Sequence, residues 1–445
     1  MMREKKIFAE IFISTVCIKI VYDYLILHCL PNIYIDNVTY GVDFSSRKIF
    51  VGYLVFVIVS LLSIFLVLKK KNNVSLGLII LLDLYYVPMS SAYYLNNTSF
   101  SFLFFSSLFF VLLPSLNYFC FKYSRCFTEH KNDCINDKLF IYLCIIVSIL
   151  CILYAYFYNG LNLSLDINSV YDVRADFVGS TNALTSILFH FGAQIVTVGC
   201  LYFLIKKKVV LFGLCLFAQL CIFSIARQKS DLLIILIVLL IWAISKLNML
   251  QIFKRHLSLL LCFAMICSFL EFSVFDSTVL FGLFVRRMMY FPSLLNYYYF
   301  DYFSNNTLVY FTQDVFLINR LGIGIYNVPV ITLINQSYFA GHVPSPNTGL
   351  FAEAFMHFGF CGVIIFPFII IALSKVYSSF ISYFSKEIQF LLIIQFFLTI
   401  MNIPMTGGVF VVTFFTWIPV MFFLKKNNKK KCISLYNSIK LINRR

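Results

Sequence analysis

Apolar runs long enough to cross a membrane, separated by polar connections, dominate the chain. They cover residues 7–30, 49–68, 74–95, 100–120, 139–158, 183–205, 209–226, 231–246, 257–275, 349–373, 388–403 and 408–424. About 20 apolar residues, rising 1.5 Å each, cross a hydrocarbon core about 30 Å thick. The pattern predicts an all-α polytopic membrane protein with about 12 transmembrane helices. Lys19, Asp23 and Asp83 are charges set deep within the runs. Lys19 and Asp23 are one helical turn apart, so they are expected to neutralise each other. Asp83 reads as a hydrogen bond to another helix or as a step on a proton path.

Most connections on one side are short, but 159–182 and 276–348 are not. The second is too long for a simple linker. Its Tyr, Phe and Asn content predicts an ordered cap with interfacial helical segments on the outer membrane face. The chain therefore divides into nine spans with one medium outer loop (1–275), the large outer loop (276–348), three last spans (349–424) and a basic tail (425–445).

Composition agrees with this division. Hydrophobic residues make up 61% of the chain and charged residues 12%, with a mean hydropathy of +0.89. A soluble domain of this length needs more charge to cover its surface. The net charge of +16 does not point to nucleic acid, because the cations sit in short clusters between apolar runs. The clusters at 3–6, 69–71, 122–138, 206–208 and 425–445 fall on one side of a twelve-span layout. Arg47, Lys48, Arg174, Arg227, Lys229, Arg286, Arg287 and Arg320 fall on the other. The positive-inside rule then places both termini in the cytoplasm. The opening MMREKK resembles a signal n-region, but Lys19, Asp23 and the lack of a small-residue cleavage site predict a retained first helix.

Several chemistries lack their residues. The 14 cysteines are scattered without a Cys-x-x-Cys, so neither a zinc site nor a disulfide framework is expected. There is no phosphate-binding Gly-x-x-x-x-Gly-Lys loop, no His-Glu-x-x-His and no Asp-x-Asp. No metal or cofactor is expected.

The candidate groups lie on the outer side. Arg227 and Lys229, in FSIARQKSDLL, stand where the orientation rule makes cations scarce. They suit a diphosphate, Arg as a planar fork and Lys as a point charge. The bland alternative is snorkelling to lipid headgroups. Arg286 and Arg287, in RRMMYFPSLLNYYYFDYF, sit in an amphipathic interfacial segment, where they meet a phosphate or anchor the segment. Tyr297, Tyr298, Tyr299 and Tyr302 are positioned to stack on sugars or to form an ordinary aromatic belt. Asp172 and Arg174 either pair with each other or contact substrate, and Arg320 is a further outer cation. His342 is the one histidine of the large loop and suits a general base, and Asn347 can cap the following helix. Glu353, one turn into that helix, is expected to pair with an outer arginine or to serve as a base. Gly359 and Gly362 would admit another helix closely.

FSIARQKSDLL, RRMMYFPSLLNYYYFDYFSNN and PSPNTGLFAEAFMHFGFCGVIIFP, set in a twelve-span layout with one large outer loop before the last spans, resemble the O-antigen polymerases (Wzy-type repeat-unit polymerases). The related O-antigen ligases carry a Ser-Arg turn and a His-bearing turn at the corresponding places. Here Ala226–Arg227 and Ser345–Pro346–Asn347 stand there, and the nearest histidine is His342. The resemblance implies a bacterial inner-membrane enzyme with a large periplasmic loop and no cofactor. It implies that donor and acceptor are undecaprenyl-diphosphate-linked oligosaccharides, with a separate chain-length regulator as a partner and no nucleic acid. In that reading Arg227 and Arg286 hold the diphosphate, and Glu353 or His342 acts on the acceptor hydroxyl. Arg174, Lys229, Arg287, Asp172, Arg320, Tyr299 and Asn347 contact substrate. A lipid-linked sugar flippase and an O-antigen ligase are the other readings.

Overall fold

Helices form where the apolar runs predict them. The structure, a computed structural model, describes residues 2–30, 42–70, 72–119, 136–159, 183–226, 229–247, 256–313, 323–339, 349–417 and 420. Among these there is no strand. In chain order the helices are α1 (Met2–Cys29), α2 (Ile49–Lys69), α3 (Asn73–Leu81), α4 (Val87–Leu95), α5 (Phe100–Phe119), α6 (Asp137–Asn159), α7 (Ala183–Ile205), α8 (Val209–Ala226) and α9 (Lys229–Lys246). They continue with α10 (Leu257–Phe275), α11 (Phe291–Asn305), α12 (Val330–Phe339), α13 (Phe351–Ile381), α14 (Lys386–Asn402) and α15 (Gly408–Phe415). A π-helical turn, Leu82–Tyr86, joins α3 to α4, and a longer π-helical segment, Phe281–Tyr290, leads into α11.

Among the described residues seven helices are long and apolar enough to cross a membrane: Lys5–Cys29, Ser46–Lys69, Asn73–Leu95, Phe100–Phe119, Asp137–Tyr158, Leu257–Phe275 and Phe351–Ile381. Phe189–Ile205, Val209–Ile225 and Ile234–Lys246 are shorter apolar helices. The chain is thus an α-helical membrane protein.

It forms two compact units. Residues 1–125, 249–375 and 393–411 make the first, and 126–248, 376–392 and 412–445 the second. In the first unit the Asn73–Leu95 span is central, buried along its whole core window. Asn72 caps its start by accepting the Ser75 N–H at 2.8 Å, satisfying one orphan donor of the first turn. Helix α1 packs on α10 and α4, and α2 on α5 and α4. At the end of α10, Asp276 adopts a left-handed conformation (φ 50°). The Glu271 carboxylate there accepts the N–H groups of Val279 and Leu280 at 3.1 and 2.8 Å, capping the helix that follows.

In the second unit α6, α7 and α8 pack on one another and α9 joins α7 and α8. The buried residues there include Cys144, Cys200, Cys215 and Cys221, which pack as small hydrophobes. Lys206 meets Asp137 at 3.1 Å, and Ser245 donates to Glu387 at 3.0 Å.

Within the segment 276–348 the helix from Phe281 through α11 runs unbroken, and α12 follows. One expectation is corrected: the run 349–373 is not one straight span. At Gly359 the backbone leaves the helical region (φ 55°, ψ −132°). Residues eight apart in a straight helix are about 12 Å apart. Here the Ala354 carbonyl sits where a Cβ on Gly362 would be, so the chain doubles back. The close approach expected for Gly362 is made by its own preceding turn rather than by another helix.

Candidate functional site

The doubled-back piece, 351–358, is the centre of the candidate site in the first unit. Two side chains from distant elements, Asn296 and Tyr85, hold it, and Glu353 of the piece itself reaches out to a third. Asn296 of α11 accepts the Ala352 N–H at 2.9 Å and donates to the Pro292 carbonyl at 2.6 Å. Tyr85, in the π-helical turn, donates to Asn296 Oδ1 (2.6 Å) and to the Gly349 carbonyl (2.9 Å). Glu353 is fully buried (0%), and its two carboxylate oxygens accept the N–H groups of Met405 (2.7 Å) and Thr406 (2.8 Å). The first turn of the piece is therefore tied to α11, to the Asn73–Leu95 span and to the turn before α15.

Its other end is tied as well. The carbonyls of Met356 and His357, left without helical partners by the break at Gly359, accept the N–H groups of Val309 (2.8 Å) and Tyr310 (3.3 Å). His357 is buried, and its Nδ1 accepts the Phe311 N–H at 3.3 Å. That bond leaves the ring proton on Nε2, which is buried without a partner and flanked by the rings of Phe311 and Phe366. Just beyond, Gln313 binds the Tyr326 and Val328 carbonyls at 2.5 and 3.0 Å through Nε2. Its Oε1 accepts the Tyr326 N–H at 3.1 Å.

The helix Phe281–Tyr290, in the same unit, carries the predicted arginines. Along Phe281–Tyr290 the buried residues Phe281, Val285 and Met289 repeat every four positions. Arg286 is half-buried and Arg287 exposed. The segment is amphipathic, as its sequence predicts. On α11 and α12, Tyr298 stacks on Tyr338 (centroids 4.3 Å apart, planes at 10°), and the Tyr338 hydroxyl donates to Asp301 at 2.6 Å. Burial and the bond to Asp301 raise the Tyr338 phenol above its ordinary pKa.

Of the predicted site residues, Arg286, Arg287, Tyr299 and Glu353 all belong to the first unit. Two of them take other roles than expected. Glu353 meets backbone amides in place of an arginine, because a carboxylate in this dry position is satisfied by the unpaired N–H groups of a tight turn. Tyr299 is 3% exposed and packs beside Phe303 in the core, so its ring cannot stack on a sugar. Lys229 opens α9, in the second unit. Arg174, Asp172, Arg227, Arg320, His342 and Asn347 lie outside the described residues. No group of His, Cys, Asp or Glu arranged to hold a metal occurs among the described residues.

The sequence reading missed Asn296 and His357. His357 stands four residues after Glu353, on the same side of a helix, and that spacing was the available signal.

No family model, curated protein or solved structure matches the chain.

Proposed function

We propose that the chain is a glycosyltransferase of the outer face of a bacterial inner membrane, polymerising undecaprenyl-diphosphate-linked repeat units into O-antigen or a similar surface polysaccharide. In this reading it crosses the membrane twelve times with both termini cytoplasmic. The observation that carries the reading is the amphipathic helix Phe281–Tyr290, anchored by Phe281, Val285 and Met289, with Arg286 half-buried and Arg287 exposed. Adjacent guanidiniums on an interfacial helix suit a lipid diphosphate.

A hydroxyl of the acceptor repeat unit attacks the anomeric carbon of the donor chain. The bond to the diphosphate oxygen breaks, undecaprenyl diphosphate leaves, and the hydroxyl proton passes to a base. The leaving group brings its own phosphates, so arginines neutralise the developing charge. Glu353 acts here as a positioning residue through the turn it holds. Arg227 and His342 remain the sequence's candidates for a second diphosphate contact and for the base.

The test is complementation of a polymerase-null strain, with surface polysaccharide run as a ladder. The parent should restore the ladder, and Arg286→Ala and Arg287→Ala should leave a single repeat unit on the lipid core at unchanged membrane levels. A lipid-linked sugar flippase is the second reading, favoured by the charges buried within the first unit at Lys19, Asp23 and Asp83. It predicts that loss of the protein removes the single-unit band too.

A further inference from the structure

Tyr298, Asp301, Tyr302 and Asn305 recur at spacings of three and four along α11, which puts them on one stripe of the helix, while Leu295, Tyr299 and Phe303 face the core. Two tyrosines from further along the chain, in the same unit, meet this stripe. Tyr338 of α12 lies flat on Tyr298, and its hydroxyl donates to Asp301 Oδ2 at 2.6 Å. The Tyr326 ring lies 6.4 Å from that of Tyr302, and the Tyr326 hydroxyl donates to the Thr307 carbonyl at 2.5 Å. The two aromatic pairs thus stand one helical turn apart, about 6 Å along α11. Phe339 meets Tyr298 edge to face, whereas no second ring covers Tyr338 among the described residues. Tyr298, Asp301, Tyr302 and Tyr338 are half-buried, and Asn305 and Gln336 are exposed.

The chemistry of the stripe narrows what it can bind. Asp301 is the one charged residue within 291–313 and 323–339. With no cation there, a phosphate, an anionic headgroup or a nucleic acid has no partner. An ordinary aromatic belt does not describe it either, since belt tyrosines keep their hydroxyls in the wet headgroup layer. Here the Tyr338 and Tyr326 hydroxyls are taken up by Asp301 and Thr307, which fixes both rings. Asp301 has an oxygen to spare, because its Oδ1 makes no hydrogen bond among the described residues. A carboxylate oxygen and side-chain amides beside fixed aromatic faces match a sugar. Its C–H face lies flat on a ring while the hydroxyls at its edge donate to the carboxylate.

We infer that this stripe is a subsite for an uncharged saccharide, with one sugar on the Tyr298–Tyr338 pair, the next at Tyr302, and a sugar hydroxyl donating to Asp301 Oδ1. Asp301 stands about 20 Å along the unbroken helix from Arg286. An oligosaccharide whose diphosphate sits at Arg286 therefore reaches the stripe with sugars several residues from the reacting bond. The stripe selects and holds the repeat unit and takes no part in the bond exchange. An acidic sugar would set its carboxylate against that of Asp301 and be rejected. That the saccharide is a repeat unit rests on the glycosyltransferase reading, whereas the affinity of the stripe for sugar does not.

The test uses the purified full chain in detergent and oligosaccharide cut from the surface polysaccharide of the strain that carries the protein, free of lipid and phosphate. Binding is read by saturation-transfer NMR, which reports the sugar protons in contact. The parent should bind at millimolar sugar, and oligogalacturonate should not displace it. Asp301→Asn and Tyr302→Ala should each weaken binding about tenfold at the parental melting midpoint. Tyr302→Leu fills more of the same space and serves where Tyr302→Ala does not fold. In a polymerisation assay the same variants should raise KM with kcat unchanged. Sugar binding by a chain that does not polymerise would overturn the glycosyltransferase reading and leave the subsite. A parent that binds no sugar, or folded variants with full affinity, would overturn the subsite, and displacement by oligogalacturonate would overturn the selection by Asp301.

Discussion

Glu353 accepts the backbone N–H of Thr406 at 2.8 Å, so a carboxylate in the first turn of α13 is fixed to the turn that precedes α15. With its other oxygen on Met405, Glu353 joins two segments that the sequence keeps some fifty residues apart, and it holds the doubled-back piece in place.

Glu353→Gln tests that role. The glutamine offers one acceptor and one donor to two backbone donors, so one buried N–H loses its partner. This should destabilise the folded chain by about 1–3 kcal/mol. Thermal melting in detergent should show a lower midpoint. An unchanged midpoint with lost polymerisation would instead make Glu353 a base.

The doubling back predicts sensitivity at two glycines. Gly359→Ala places a Cβ at φ 55°, ψ −132°, a strain of about 1–3 kcal/mol. Gly362→Ala drives a Cβ into the Ala354 carbonyl, and overpacking of that kind costs about 1–3 kcal/mol. A Cβ at Gly282 meets nothing within 4 Å, so Gly282→Ala is the control and should melt like the parent. Equal melting of all three would contradict the break at Gly359.

The arginine pair predicts an order among variants. If Arg286 holds the diphosphate, Arg286→Ala should lower the polymerisation rate by roughly 10²–10³, the effect of removing one charge-stabilising donor. Arg286→Lys keeps the charge but loses the planar fork, so it should recover only part of the rate. The check is the rate of ladder growth at matched protein levels. Full activity of Arg286→Ala would remove that residue from the site.

Tyr338 gives a pH signature on α12. Its phenol holds its proton more tightly in the folded chain than in the unfolded one, through burial first and the Asp301 bond second. Stability from that source is fully present below about pH 10, the ordinary tyrosine value, and is lost as pH rises beyond it. The melting advantage of the parent over Tyr338→Phe should therefore stay constant up to about pH 9 and narrow as the pH rises beyond about 10. A constant difference would show that the bond to Asp301 contributes nothing.

Helix positions were legible in the sequence because burial in lipid writes itself as long apolar runs. The runs 183–205, 209–226 and 257–275 coincide with Ala183–Ile205, Val209–Ala226 and Leu257–Phe275. The break at Gly359 was hidden, since Phe-Gly-Phe stays apolar on both sides and reads as one helix. For Tyr299 the signal existed. Leu295, Tyr299 and Phe303 repeat every four residues, which marks an inward face and leaves Tyr298 to its neighbour Tyr338. The partners of Glu353 were not legible, because they are backbone amides brought near by the fold. The charges at Lys19, Asp23 and Asp83 stood out from their apolar runs, whereas the serines and tyrosines that hydrogen-bond to them did not.

The most direct test of the glycosyltransferase reading needs no cell. Purified full chain would be mixed in detergent micelles with a synthetic undecaprenyl-diphosphate-linked repeat unit, without metal, nucleotide or other protein, and the lipid-linked products resolved by mass. The account predicts products two, three and more repeat units long, with one undecaprenyl diphosphate released for each unit joined. A folded chain that leaves the lipid-linked unit unextended would contradict it.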